Sequence, residues 1–74
     1  MPYGLPQSGK VALRVYSIEG RKVQTLVDGR VRKGHHEVVW RGHNKHGRKV
    51  ASGIYLYVLE TESTQVTKKM SLLR

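Results

Sequence analysis

WRGHNKHGRKVASGIYLYVL, residues 40–59, is the stretch whose reading decides the fold. It begins with a polar loop, Trp40 to Ser52, punctuated by Gly42 and Gly47. It ends in an alternating run, Ile54, Tyr55, Leu56, Tyr57, Val58 and Leu59, rich in aromatic and β-branched residues, which reads as a strand. Trp40 closes the strand before the loop, so the segment is a long connection between two strands of one small β domain. Three of the five aromatic residues lie in it, so most of the large core side chains do too. Tyr55, Tyr57 and Leu59 share one face of the strand, and Ile54, Leu56 and Val58 share the other. Both faces are apolar, which marks a central strand covered on both sides or one with a side left for a partner.

Working outward from this stretch, more strands follow from the same period-two pattern. Lys10 to Ser17 alternates, with Val11, Leu13 and Val15 on one face and Ala12, Arg14 and Tyr16 on the other. Ser17-Ile18-Glu19-Gly20 is a tight turn, with Gly20 free to take positive φ. Arg21 to Asp28 is the returning strand, but Val23, Leu26 and Val27 break strict alternation, which predicts a bulge or an early end. Asp28-Gly29 reads as a turn, and Arg30 to Lys33 is a polar, basic stretch ended by Gly34. Residues 35–40 alternate again, with His36, Val38 and Trp40 on one face. Thr61 to Thr64 is a polar turn, and Gln65 to Leu73 is the last strand. Residues 1–9 hold both prolines and two glycines and read as a linker or a truncated first strand; residues 10–74 form the domain proper. No stretch has a 3.6-residue period long enough for a helix, so the expected fold is an all-β antiparallel sandwich. Its expected core is Val11, Leu13, Val15, Val23, Leu26, His36, Val38, Trp40, Tyr55, Tyr57, Leu59, Met70 and Leu72.

The bulk properties narrow the function. Seventy-four residues make one small domain with a limited core. There is no cysteine, hence no disulfide, thiolate metal site or cysteine nucleophile. No window approaches the roughly 18 apolar residues of a membrane span. The start, MPYGLPQSGK, has neither the charged nor the apolar region of a signal peptide, so any export signal is expected upstream. The net charge of +9 is concentrated in Arg30, Arg32, Lys33, Arg41, Lys45, Arg48 and Lys49, against the single acid Glu37 between them. Such a run either solvates a face or attracts polyanions.

Nothing in the chain reads as a reaction centre. The carboxylates Glu19, Asp28, Glu37, Glu60 and Glu62 fall mostly in turns, and none forms the tuned pair that acid–base chemistry needs. His35, His36, His43 and His46 could meet in the fold, but among so many cations and without a balancing carboxylate they make a poor metal set; His36 reads as a core residue. The glycine-rich loop is followed by no helix, so it is not a phosphate cradle. Only Tyr16 and Tyr3 stand as exposed aromatics beside cations, which disfavours nucleic acid. The expectation is a protein with no catalytic residue, no metal and no cofactor.

The pattern as a whole resembles a known family. The residues that carry the resemblance are Leu5-Pro6, the run VALRVYSIEGRKVQTLVDG from Val11 to Gly29, then Gly34, His36, Val38 and Trp40. Gly42, Gly47, Val50, Ser52-Gly53, Tyr55, Tyr57 and Leu59 follow, and Lys68-Lys69-Met70 through Leu72-Leu73-Arg74 close it. These resemble the immunoglobulin-like domain named for the bacterial flagellar hook-capping protein, in the version that ends type IX secretion cargo proteins as a C-terminal (type A) sorting domain. The resemblance implies a small immunoglobulin-like sandwich of about six to seven strands on a secreted or cell-surface protein. It implies a non-enzymatic sorting and surface-attachment module, with Gly53, Tyr55, Tyr57, Lys69, Met70, Leu72 and Arg74 on the strands that carry the signal. The partners would be the secretion machinery or upstream domains of the same protein, together with anionic lipopolysaccharide. The alternative is a structural interaction or spacer module, binding polyanions through its basic run. Two departures stand out. Where the family has acids, this chain has Arg41 and Asn44, so no calcium site is expected. Its first strand is also shorter, so either that strand is truncated here or a sheet edge is left open to a partner strand or a second copy.

Overall fold

A computed structural model describes residues 2–73. Its six strands are β1 (Pro2–Leu5), β2 (Gly9–Ser17), β3 (Lys22–Val31), β4 (Gly34–Glu37), β5 (Gly53–Glu60) and β6 (Gln65–Leu72). They form two antiparallel sheets in a sandwich-like arrangement, one of four strands in the order β3-β2-β5-β6 and one of two strands, β1-β4. The fold is all-β, as the alternation requires.

β2 lies at the centre because its inward face is the most uniformly apolar. Val11, Leu13 and Val15 are at most 1% exposed. With Leu5 and Tyr55 they make up the buried core. Leu5 sits outside the expected core, yet as the last residue of β1 it is pressed onto this face. Burial then falls off along each cross-strand row. Leu13 pairs with Leu59, and Leu59 with Val66, which is 38% exposed on β6. Val15 pairs with Tyr57, and Tyr57 with the exposed Lys68. The two-stranded sheet thus covers β2 well and β6 poorly. On the opposite face of β5, Ile54 is 50% exposed, so that face is the uncovered one.

β3 departs from the sequence expectation. It runs through Asp28-Gly29 to Val31 instead of turning there. Gly29 pairs with Val11 inside the ladder and adopts φ of 147°, a conformation open to glycine, so the dipeptide is a distortion within a strand and not its end. The broken alternation earlier in β3 resolves as register shifts. Leu13 pairs with Val27 and Arg14 with Thr25, leaving Leu26 as an extra residue; Val15 pairs with Gln24 and Tyr16 with Lys22, leaving Val23 as another. The β2–β3 turn forms as read, with Gly20 at φ 91° and its N–H donating to the Ser17 carbonyl at 2.9 Å.

β4 is shorter than expected, ending at Glu37. His36 is half-buried, not core: it stacks on Tyr3 across β1 and β4 (centroids 5.4 Å apart), and its Nε2 lies 2.7 Å from the Arg32 carbonyl oxygen. Val38 and Trp40 lie beyond the strand and are half-buried. Val23, Leu26, Tyr57, Leu59, Met70 and Leu72, also expected in the core, are half-buried.

Candidate interaction surfaces

The loop of residues 40–52 is a structured arm. Trp40 anchors its start: the indole Nε1–H donates to the His43 carbonyl at 2.9 Å, and the ring meets Tyr55 edge-on with centroids 5.1 Å apart. Tyr55 anchors its end by donating its hydroxyl to the Ala51 carbonyl at 2.6 Å. The polar ends of both aromatics are thereby satisfied, as their burial requires. Between them His43 bridges Lys49, and the Val50 N–H donates to the Gly42 carbonyl, so the segment folds back on itself as a tight hairpin.

Asn44 organises the tip. Its Oδ1 accepts from the backbone N–H groups of His46 (2.9 Å) and Arg48 (3.0 Å). Its own N–H donates to the Arg48 carbonyl, and its carbonyl accepts from Gly47. The amide oxygen of Asn44 thus closes the turn at the tip by a side-chain-to-backbone pattern. The arm is then fastened to β3. The Lys45 N–H donates to the Val23 carbonyl at 2.9 Å, and Gln24 Nε2 donates to the Asn44 carbonyl at 3.0 Å.

This docking decides where the basic residues go. The sequence run from Arg30 to Lys49 does not form one patch. Arg41, Lys45, Arg48 and Lys49 ride on the arm beside the start of β3. Arg30 pairs with Lys10 at the other end of that strand, and the Lys33 N–H donates to Ser8 Oγ nearby. Val23 and Arg30 are separated along the strand by about 23 Å at the usual rise per residue. Arg32 and Lys33 belong to this second end. The first end gains two cations from another part of the chain, Arg21 and Lys22. These line a cleft of about 310 Å³ with Lys45, His46 and Glu19. Sequence reading passed over them because they lie outside the basic run; only the pairing of the arm with Val23 brings them in.

The residues expected on the partner strands are split between faces. β5 and β6 bring Gly53 opposite Leu72 and Tyr55 opposite Met70, while Tyr57 faces Lys68. Lys69 pairs with Leu56 and projects from the other face. Tyr55 is buried and occupied by the arm, whereas Tyr57 is half-buried at a cleft. Arg74 lies outside the described residues. Among the described residues, no group of three or more His, Cys, Asp or Glu is placed to hold a metal ion, and no helix is long and apolar enough to cross a membrane.

Two antiparallel sheets and a docked arm make up an immunoglobulin-like β-sandwich. The chain belongs to the FlgD Ig-like domain family, which matches residues 3–65. That span runs from β1 to the first residue of β6, so the basic residues Lys68 and Lys69 fall beyond it. The family is one of structural modules. No curated protein and no solved structure matches the chain.

Proposed function

We propose that the domain is a structural interaction module, a small rigid sandwich that spaces or joins parts of an exported or surface assembly in the manner of a hook-capping domain. Membership of the FlgD Ig-like family over residues 3–65 carries this reading. The narrower alternative, a type IX sorting signal, draws its support from the resemblance of the terminal strand, which lies outside the matched span. One experiment separates the two: residues 1–74 are fused behind a periplasmic reporter in a type IX-competent host. The module reading expects the reporter to stay in the periplasm while a known sorting domain releases its own. Release of the reporter by residues 1–74 would overturn it in favour of sorting.

A second reading, polyanion binding, is favoured by one observation. The fold brings Arg21 and Lys22 together with Lys45 of the arm around one cleft. Lipopolysaccharide phosphates are the ligand chemistry this end suits, and such contact would complement an assembly role at a cell surface.

A further inference from the structure

We infer that the cleft beside β1 receives an extended, acid-bearing peptide segment of another protein, added as a third strand to the β1–β4 sheet. The two-stranded sheet faces one of four strands, so part of the larger sheet is left uncovered. β1 pairs with β4 along one edge only. In an antiparallel pair, alternate residues turn their N–H and C=O away from the partner, so the other edge of β1 offers unused backbone groups. Directly beside that edge lies a cleft of about 190 Å³, with Tyr3 and Gly4 on one wall and Tyr57, Leu59, Val66 and Lys68 on the other. It continues into a second cleft of about 750 Å³, which shares Gly4, Leu59 and Val66. The fall in burial from Leu13 to Val66 shows that the missing cover is a strand-shaped strip above β5 and β6.

Charge selects the occupant. Lys68 stands in the first cleft, and Lys10 and Arg30 line the second. The acid in this groove, Glu62, is already engaged, its Oε1 accepting from the Lys10 N–H at 3.0 Å. A second copy of this chain brings a net charge of +9 to a positive groove and is disfavoured. A strand with apolar side chains alternating towards Tyr57, Leu59 and Val66, and a carboxylate at Lys68, fits both the pleat and the charge. This is strand addition at a free edge.

The inference rests on the interaction-module reading, and its test can fail while the reporter result stands. The labelled chain, at physiological salt, is titrated with the heptapeptide Thr-Val-Thr-Val-Thr-Glu-Thr, whose valines and glutamate share one face, and separately with its counterpart carrying lysine in place of the glutamate. Binding of the glutamate peptide is expected to shift the amide resonances of Tyr3, Gly4, Tyr57 and Val66 and to slow hydrogen exchange in β1. The lysine peptide should leave them in place. Val66→Asp, at a position already 38% exposed, should keep the fold and weaken binding about tenfold. Lys68→Glu should reverse the preference between the peptides. Equal response to both peptides, shifts confined to the arm, or no shift at all would overturn the inference. So would self-association of the free chain through Val66, which would make a second copy the occupant.

Discussion

Asn44 concentrates more hydrogen bonds than any other polar side chain described above. Its Oδ1 serves two backbone donors, and its main chain serves three further partners. Replacing it with alanine leaves the His46 and Arg48 N–H groups without their acceptor at an exposed tip, where water compensates in part. Asn44→Ala is expected to cost about 1–2 kcal/mol, read as a lowered urea midpoint with an unchanged slope. Asn44→Asp keeps an acceptor oxygen in the same place, beside Lys45, Arg48 and Lys49, and should stay within about 0.5 kcal/mol of the parent. Equal losses in both variants would show that the side-chain oxygen does not hold the tip. The neutral amide at this position therefore holds the turn without lowering the positive charge of the arm.

At the level of the element, β3 shows how local signals are overruled. Gly29 holds φ of 147° within the ladder, and a Cβ there would meet nothing within 4 Å. Gly29→Ala is thus expected to lower stability through backbone strain alone, by about 1–2 kcal/mol, with the β2–β3 register retained in amide-exchange patterns. A loss near zero would mean that the distortion relaxes freely. The strands with regular alternation, β2 and β5, were legible in the sequence because a period of two needs no tertiary knowledge. β3 was legible as a strand with a bulge, but its length was not, since Asp-Gly has the same local preference in a turn and in a bulged ladder. Trp40 was legible as a core side chain closing the strand before the loop, but its place beyond β4 and its partner were not, because the His43 carbonyl reaches the indole only once the arm folds back. Leu5 was missed because its burial depends on the pairing of β1 with β4, which no local pattern announces. The basic residues were all visible, whereas their grouping depends on which end of β3 receives the arm.

As a whole, the molecule is elongated, about 35 × 20 × 18 Å, with cations at both ends of its long strands. Such a distribution favours a ligand that binds one end over one that needs a single continuous patch. Exchanging Arg48 and Lys49 for glutamate should weaken binding to purified lipopolysaccharide and flatten its salt dependence. The same exchange at Arg32 and Lys33 should have a smaller effect, because those residues are remote from the cleft at Arg21 and Lys22. Equal effects at the two ends would mean that only net charge matters.

The ladder between β2 and β5 has a consequence for the time the chain takes to fold. β2 with β3, and β5 with β6, are hairpins between neighbours in sequence. The pairing that unites them, from Ser17↔Tyr55 to Ala12↔Glu60, joins residues far apart along the chain. Closing that long loop carries an entropic cost before its contacts give anything back, which places the domain among the slow, millisecond-to-second folders. In stopped-flow measurements, Leu59→Ala, on this seam, should slow refolding, whereas Val66→Ala, on the outermost strand, should mainly quicken unfolding. The hairpins can assemble in either order, but the barrier belongs to the seam.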